Sequence, residues 1–181
     1  YIKGMFALAL YDRKKQTLDL ATDLYGQKPL YYFYNNNILF FSSTLLPFIQ
    51  TDLIDKKIDN NLINNFNLFN FIPSPNTIFE NIYKMESNKL LKFQLGDTIK
   101  LIQDCEIKKQ SFTSKSYVKY NHFIEETHNI LKSSIDKHLI SDVPISSLQS
   151  GGIDSSLINL YLNSQQRIKT FSVIFDNQIH S

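Results

Sequence analysis

Nine residues near the end of the chain combine adjacent glycines, hydroxyl groups and one carboxylate in an order that suits phosphate chemistry. They read Leu-Gln-Ser-Gly-Gly-Ile-Asp-Ser-Ser over residues 148–156. Gly151 and Gly152 can adopt positive φ and carry no side chain, so that backbone N–H groups can converge on phosphate oxygens. The pattern predicts a pyrophosphate-binding loop, and its candidate residues are Ser150, Gly151, Gly152, Ile153, Asp154, Ser155 and Ser156.

The single carboxylate of this loop needs a separate explanation, because Asp154 would repel a phosphate that it faced directly. We therefore predict that Asp154 holds Mg²⁺, which prefers carboxylate and phosphate oxygens. No lysine follows the glycines, and this excludes a Walker A loop and with it the P-loop kinases and GTPases. The structural alternative is an ordinary Gly-Gly turn capped by Asp and Ser.

A loop of this kind must be held between a strand and a helix. Ser141–Ile145 and Leu148 predict a short buried strand, and Ser155–Leu162 predicts a helix with apolar residues on its inner face. The loop would then lie at a helix N-terminus, where the helix dipole favours negative charge. Thr170–Asp176 predicts the next strand of the same sheet, joined by a crossover helix as a parallel pairing requires. Upstream, Tyr117–Ile140 has helical periodicity.

The loop resembles the Ser-Gly-Gly-x-Asp-Ser pyrophosphate loop of the N-type ATP pyrophosphatases, which cleave ATP between the α and β phosphates. The segment before it, Lys137–Pro144, is similar to the run that enters this loop in glutamine-hydrolysing asparagine synthetases. The resemblance implies ATP and Mg²⁺ as cofactors. It also implies that Leu148 and Val173 line the adenine side of the ATP site.

The first part of the chain is rich in short β-type runs separated by turn residues. These runs predict an antiparallel meander covered on one side, with strands at Phe6–Asp12, Thr17–Thr22, Leu30–Tyr34 and Ile38–Ser42. The same region is similar to the late part of a class II glutamine amidotransferase domain, through the segments Gly4–Asp12, Leu20–Asp23 and Gly26–Tyr32.

Two further segments connect these regions. Residues 59–67 are rich in asparagine, but apolar residues at positions 62, 63, 66 and 69 mark one face of a helix and leave the asparagines on its surface. Phe71–Phe79 resembles the Pro-x-Pro-x-Thr-Ile-Phe segment between the two halves of asparagine synthetases. Three motifs thus follow the family's order along the whole chain.

The resemblance implies a fold of two parts. The first is an α+β N-terminal nucleophile hydrolase-type (αββα) partial domain at residues 1–106, the C-terminal part of a glutamine amidotransferase type 2 domain. Residues 107–115 are a linker, and residues 116–181 are the start of an α/β Rossmann-like, parallel-sheet ATP pyrophosphatase domain. The family's glutaminase uses an N-terminal Cys as nucleophile, whereas this chain begins with Tyr1. We therefore expect both ends to be internal positions of a longer protein, and the glutaminase catalytic residues stay unknown.

Composition narrows the function classes. A content of 43% hydrophobic residues is enough to build a core in one or two domains, and a net charge of +2 is too small to predict nucleic-acid binding. No apolar run approaches 18 residues, so no membrane segment is predicted and cytoplasm is the default location. Cys105 is the only cysteine and is predicted to be unreactive or partly buried. The four histidines lack metal-ligand spacing, and we interpret them as structural or surface residues.

The activity that the resemblance implies is ATP-dependent amide synthesis. Glutamine or ammonia plus aspartate would give asparagine, AMP and pyrophosphate through an acyl-adenylate. The enzyme could be a homodimer. Thr22 and Leu24 stand where the family usually has arginines, and Ser43 and Leu45 replace a Glu and a Lys. These departures have two explanations. One is neutral drift in a divergent asparagine synthetase, and the other is a related enzyme that amidates a different carboxylate, such as a sugar acid of a surface polysaccharide, or closes a β-lactam ring. A different N-type pyrophosphatase and a non-catalytic remnant are the further alternatives.

Overall fold

The computed structural model describes residues 2, 4–35, 37–107, 120–165 and 167–174, in two compact units. Unit 1 is Tyr1–Ser111 and unit 2 is Phe112–Ser181. The domain bounds drawn from the sequence, with a linker at 107–115, stay a prediction because residues 108–119 lie outside the described part of the chain.

The described residues of unit 1 are mostly β-structure, with two short helices among them. In chain order its elements are β1 (Ala7–Asp12), β2 (Thr17–Thr22), β3 (Tyr31–Tyr34), β4 (Leu39–Ser42), α1 (Leu46–Gln50), α2 (Asn60–Phe69), β5 (Tyr83–Lys84), β6 (Lys89–Gln94) and β7 (Lys100–Glu106). The four strands predicted before residue 43 are all present, three of them shorter by one residue at the start.

These strands form two antiparallel sheets, in the orders β1-β2-β6-β7 and β4-β3-β5. The predicted single meander is therefore wrong. The second edge of β2 pairs with β6, with Leu20 opposite Leu91, and β3 begins a separate sheet. Antiparallel sheets in a mixed α and β unit agree with a glutamine amidotransferase domain at the level of fold class.

The turn after β2 explains why the meander stops there. Asp23, only 1% exposed, places its carboxylate beside a series of backbone N–H groups rather than continuing the strand. It accepts hydrogen bonds at 3.0–3.3 Å from the N–H groups of Phe6, Tyr25, Gln27 and Lys28. Gly26 completes the turn with a φ of +61°, a conformation that residues with a side chain adopt less readily than glycine. The chain consequently leaves the first sheet and enters the second.

The two sheets of unit 1 bury a shared apolar core. Leu18 and Leu20 of β2 and Leu91 and Phe93 of β6 are buried on one face of the larger sheet. Tyr34 of β3 packs edge-on against Phe93, with ring centroids 5.1 Å apart. On the other face of the smaller sheet, Phe48, Ile54 and Ile82 form a second buried cluster.

The predicted asparagine-rich helix is present as α2. Its N-cap residue Asp59 accepts a hydrogen bond from the N–H of Asn61 at 3.0 Å, and Asn70 ends the helix with a φ of +58°. Of the predicted apolar face, Leu62 is buried, while Ile63, Phe66 and Phe69 are exposed within the described residues.

Unit 2 has a helix followed by one β-α-β sequence. Its elements are α3 (Tyr120–His138), β8 (Ser146–Leu148), α4 (Ile153–Gln165) and β9 (Lys169–Phe171). β8 and β9 pair in parallel, with Leu148 opposite Phe171, as the predicted crossover requires. This one parallel pair does not establish a Rossmann-like domain, so that assignment stays a prediction.

The strand predicted through Ser141–Ile145 and Leu148 is wrong in its start and its burial. β8 begins only at Ser146, and Leu148 is 75% exposed. Two local features delay the strand: Pro144 has no N–H to donate, and the N–H of Val143 binds the Ser141 hydroxyl at 3.3 Å in a turn. β9 likewise ends at Phe171, short of the predicted Thr170–Asp176. Within the described ranges, no helix has the length and apolar character needed to cross a membrane.

Candidate functional site

The glycine loop lies between the end of β8 and the start of α4, as predicted. The N–H of Gln149 donates to the carbonyl of Phe171 at 2.7 Å and extends the parallel pairing by one residue. Gly151 has a φ of +84°, and a Cβ added there would meet no atom within 4 Å. The loop therefore needs glycine at this position for its backbone conformation and not for lack of space.

Three serine hydroxyls bind atoms of the loop itself. The Oγ atoms of Ser155 and Ser156 donate to the carbonyl of Gly152 at 3.0 and 2.8 Å. The Oγ atoms of Ser150 and Ser155 lie 3.0 Å apart in a further hydrogen bond. Because a hydroxyl carries a single hydrogen, these bonds use the serine donors internally. The donors left for a ligand are the backbone N–H groups.

The first turn of α4 supplies such N–H groups. Its first backbone bond joins the N–H of Ser156 to the carbonyl of Gly152 at 3.1 Å, so the N–H groups of Ile153, Asp154 and Ser155 precede the intrahelical series. These N–H groups, which lack an intrahelical acceptor, and the helix dipole make the turn a favourable place for an anion.

An open pocket of about 490 Å³ adjoins this turn. It is lined by Gly151, Ile153, Ser156, Leu157 and Leu160. Its volume lies within the range of small-molecule sites, and its lining combines polar groups of the loop with apolar side chains of α4. The lining thus offers both polar and apolar contacts beside the loop.

The residues predicted for the adenine side lie at the same sheet edge as the loop. Leu148 ends β8, and Val173 follows β9 by two residues. Carboxyl ends of parallel strands form one edge, which is where nucleotides bind in open α/β sheets. Both side chains are about three-quarters exposed, and neither lines the pocket beside Gly151. Their role in adenine binding stays a prediction.

Metal binding at this site rests on one carboxylate. Among the described residues, no group of three or more His, Cys, Asp or Glu side chains is placed to hold a metal ion. A lone Asp154 in the first turn of α4 nevertheless fits Mg²⁺, because this ion is usually held by one or two carboxylates together with substrate phosphates. It does not fit a metal that needs a cage made only of protein ligands.

Two amide side chains behind the loop were not among the predicted site residues. Gln149 follows an apolar strand residue, and Asn159 interrupts an apolar stretch of α4. Nε2 of Gln149 donates to Oγ of Ser156 at 2.8 Å, and Nδ2 of Asn159 donates to Oε1 of Gln149. The sequence signal for Asn159 is its position between Ile158 and Leu160, whereas Gln149 has only Leu148 as an apolar neighbour.

The remaining polar candidates behave as structural residues in the described part of the chain. Cys105 is half-buried in β7, and its Sγ accepts a hydrogen bond from Nε2 of Gln103 at 3.2 Å. His128 of α3 packs against the ring of Tyr161 of α4, with centroids 5.1 Å apart, and shares a hydrogen bond with its phenol. His138 contacts the carbonyl of Ser134 through Nδ1 at 2.7 Å. His180 lies outside the described residues.

Comparison with protein families gives two matches that follow the two units. Residues 1–103 match the family described as glutamine amidotransferase domain, and residues 126–181 match the family described as asparagine synthase.

Individual relatives match over nearly the whole chain. A putative asparagine synthetase [glutamine-hydrolyzing] 2 of Methanocaldococcus jannaschii is 30% identical over 184 residues, covering 97% of this chain and 34% of the relative. Asparagine synthetase [glutamine-hydrolyzing] 1 of Bacillus subtilis is 31% identical over 189 residues, covering 98% of this chain and 27% of the relative. A protein named amidase chry2 from Gibberella zeae is 25% identical over 158 residues, covering 87% of this chain and 23% of the relative. The chain thus spans about a third or less of the length of these relatives.

Proposed function

Because this chain belongs to the glutamine-hydrolysing asparagine synthetase family, we propose that it contributes to a ligase that uses ATP to convert aspartate and glutamine into asparagine. The observation that carries the proposal is the Ser-Gly-Gly-Ile-Asp-Ser loop, which bends at Gly151 and opens α4 between two parallel strands. That arrangement suits the release of pyrophosphate from ATP. Unit 1 supplies part of the domain that would release ammonia from glutamine.

The chemistry has two steps at the ATP site. A carboxylate oxygen of aspartate attacks the α phosphorus of ATP, and the bond to the bridging oxygen breaks so that pyrophosphate leaves with the bonding pair. Ammonia then attacks the acyl carbon of the resulting acyl-adenylate, loses a proton, and AMP leaves. The first step builds negative charge on the pyrophosphate, which the N–H groups of Ile153, Asp154 and Ser155 are positioned to stabilise.

Asp154 is proposed to hold Mg²⁺ in this site. A bound Mg²⁺ ion supplies positive charge that offsets the charge on the leaving pyrophosphate. The carboxylate of Asp154 orients that charge at the N-terminus of α4, and Leu148 and Val173 are proposed to contact the adenine ring. Ser150, Gly151, Gly152 and Ser156 hold the loop in its curved form.

The proposal is tested by measuring pyrophosphate release from the full-length protein with ATP, Mg²⁺ and ammonium, with and without aspartate. We expect release that depends on aspartate. A folded protein that binds ATP but releases no pyrophosphate with aspartate would contradict asparagine synthesis.

An Asp154→Asn variant tests the metal-holding residue. We expect it to lose at least about 99% of pyrophosphate release, since removal of one charge-stabilising group costs on the order of 3 kcal/mol in such sites. Asp97→Asn, an exposed carboxylate in the turn between β6 and β7, is the matched control and is expected to keep full activity. Normal turnover by the Asp154 variant would reject its assignment.

A second candidate function is the amidation of a different carboxylate. It is favoured by the similarity to amidase chry2, whose name is not that of an asparagine synthetase. Thr22, which stands where the resemblance places an arginine, adds no further support. Thr22 is buried and its hydroxyl donates to the carbonyl of Glu86 at 2.6 Å, so a role in the fold already accounts for the residue. Pyrophosphate release that responds to other carboxylates and not to aspartate would favour this candidate.

A further inference from the structure

Three polar side chains, of Gln149, Ser156 and Asn159, form a hydrogen-bonded network behind the glycine loop. Gln149 donates from Nε2 to Oγ of Ser156 and accepts at Oε1 from Nδ2 of Asn159. The same Nδ2 group donates to the carbonyl of Ser155 at 2.9 Å. Gln149 and Asn159 are both partly buried, so the loss of either amide would leave a polar partner unsatisfied.

The network extends into the loop backbone through Ser156. Its Oγ accepts from Gln149 and donates to the carbonyl of Gly152, which also accepts from Oγ of Ser155. These bonds hold the Gly152 carbonyl toward the body of α4. In a trans peptide unit the carbonyl and the following N–H point in opposite directions. The N–H of Ile153 is consequently directed away from the helix, toward the side on which an anion can bind.

We propose that Gln149 is a positioning residue for the pyrophosphate site, acting with Ser156 and Asn159 to fix the direction of the Ile153 N–H group. This inference rests on the proposed function, because it assumes that the loop binds the phosphates of ATP. An apolar residue at position 149 would leave the Ser156 hydroxyl without its donor and the Asn159 amide without one acceptor. The orientation of the Gly152–Ile153 peptide unit would then be less firmly fixed.

The test uses ATP with Mg²⁺ and the full-length protein at a temperature at which every variant is folded. The variants are Gln149→Leu, Asn159→Leu and the double variant, and the control is Asn163→Leu. Asn163 lies one turn beyond Asn159 on α4 with an exposed side chain. The measured quantities are the dissociation constant for ATP, the KM for ATP, the maximal rate and the unfolding temperature.

We expect each single network variant to raise the dissociation constant for ATP about tenfold, the upper range for one lost hydrogen bond. The KM for ATP should rise by a larger factor than the factor by which the maximal rate falls. The double variant should show about the same tenfold loss rather than a hundredfold loss, because both substitutions remove one shared network. Its unfolding temperature should exceed that of the single variants, since no amide is left half-satisfied.

Two outcomes overturn the inference. ATP affinity within twofold of the wild-type value in Gln149→Leu contradicts it, even if the unfolding temperature falls. A double variant that recovers wild-type ATP affinity also contradicts it, since the polar atoms would then be unnecessary. A wild-type protein that fails to bind ATP contradicts the proposed function itself, whereas wild-type binding with unaffected variants contradicts this inference alone.

Discussion

The buried carboxylate of Asp23 shows how one side chain determines the path of the chain. Burial of this carboxylate raises its pKa, but hydrogen bonds from the backbone N–H groups of Gln27, Tyr25, Phe6 and Lys28 outweigh that effect and hold the pKa below the ordinary value of 3.8. The ionised form is therefore the one that the folded state prefers. The charge at Asp23 stabilises the turn through which the first sheet ends.

Replacement of Asp23 by Asn should destabilise unit 1 by about 2 kcal/mol, because the buried N–H donors lose a charged acceptor. The stability that the wild-type carboxylate contributes is present above pH 3.8 and is lost as the pH falls through its lower folded-state pKa. Denaturant unfolding measured from about pH 2 to pH 6 should show a larger loss of unfolding free energy below pH 3.8 in the wild type than in the variant. Equal pH dependence in the two proteins would reject this role, and Asp97→Asn serves as the exposed control.

At the scale of elements, the sequence predicts individual strands and helices better than their pairing. The alternation of Leu18 and Leu20 marks β2 without reference to any other strand. The helix predicted from Ser155 is present as α4, which begins two residues earlier at Ile153. The pairing of β2 with β6 depends on contacts between residues about 70 positions apart, which local pattern does not specify. The strand predicted at Ser141–Ile145 is wrong because Pro144 has no N–H to donate and the N–H of Val143 donates to the Ser141 hydroxyl.

The candidate loop was predictable for the same local reason, whereas its supporting network was not. The adjacent glycines and the hydroxyl residues at 150–156 indicate a phosphate-binding loop from the sequence alone. The partners Gln149 and Asn159 are ten residues apart and meet only when β8 and α4 have their final arrangement. Hydrogen-bond partners on two different elements can be identified only once the tertiary structure is known.

The conformation of Gly151 gives a prediction at this scale. Gly151→Ala should lower the free energy of unfolding of unit 2 by about 1 kcal/mol, because an L residue is strained at a φ of +84°. Gly152→Ala is the comparison, since Gly152 lacks a positive φ and its added Cβ would lie 3.4 Å from Oγ of Ser150. Scanning fluorimetry should rank Gly151→Ala as the less stable variant. The reverse order would show that steric contact limits the loop more than its backbone conformation.

At the scale of the whole molecule, we expect each of the two units to unfold without unfolding the other. Phe93 is fully buried in unit 1, and Leu162 is buried in unit 2. After mild heating, a Phe93→Leu variant, destabilised by about 1–2 kcal/mol, should lose pyrophosphate release supported by glutamine and keep release supported by ammonium. Leu162→Ala should lose both activities, because unit 2 carries the proposed ATP site. Loss of both activities to the same extent in the Phe93 variant would contradict the assignment of glutamine use to unit 1 and of the ATP site to unit 2.

The insertion of β6 between β2 and β7 also has a consequence for synthesis on the ribosome. The hairpin of β1 and β2 is local and can form as soon as its turn has emerged, but the other edge of β2 has no partner until residues 89–94 are made. At roughly 5–20 residues per second, that edge waits about 4–14 s. During this interval its unpaired N–H and C=O groups are open to pairing with another nascent chain. Slower translation between residues 22 and 94 should therefore lower the yield of folded protein more than slowing elsewhere.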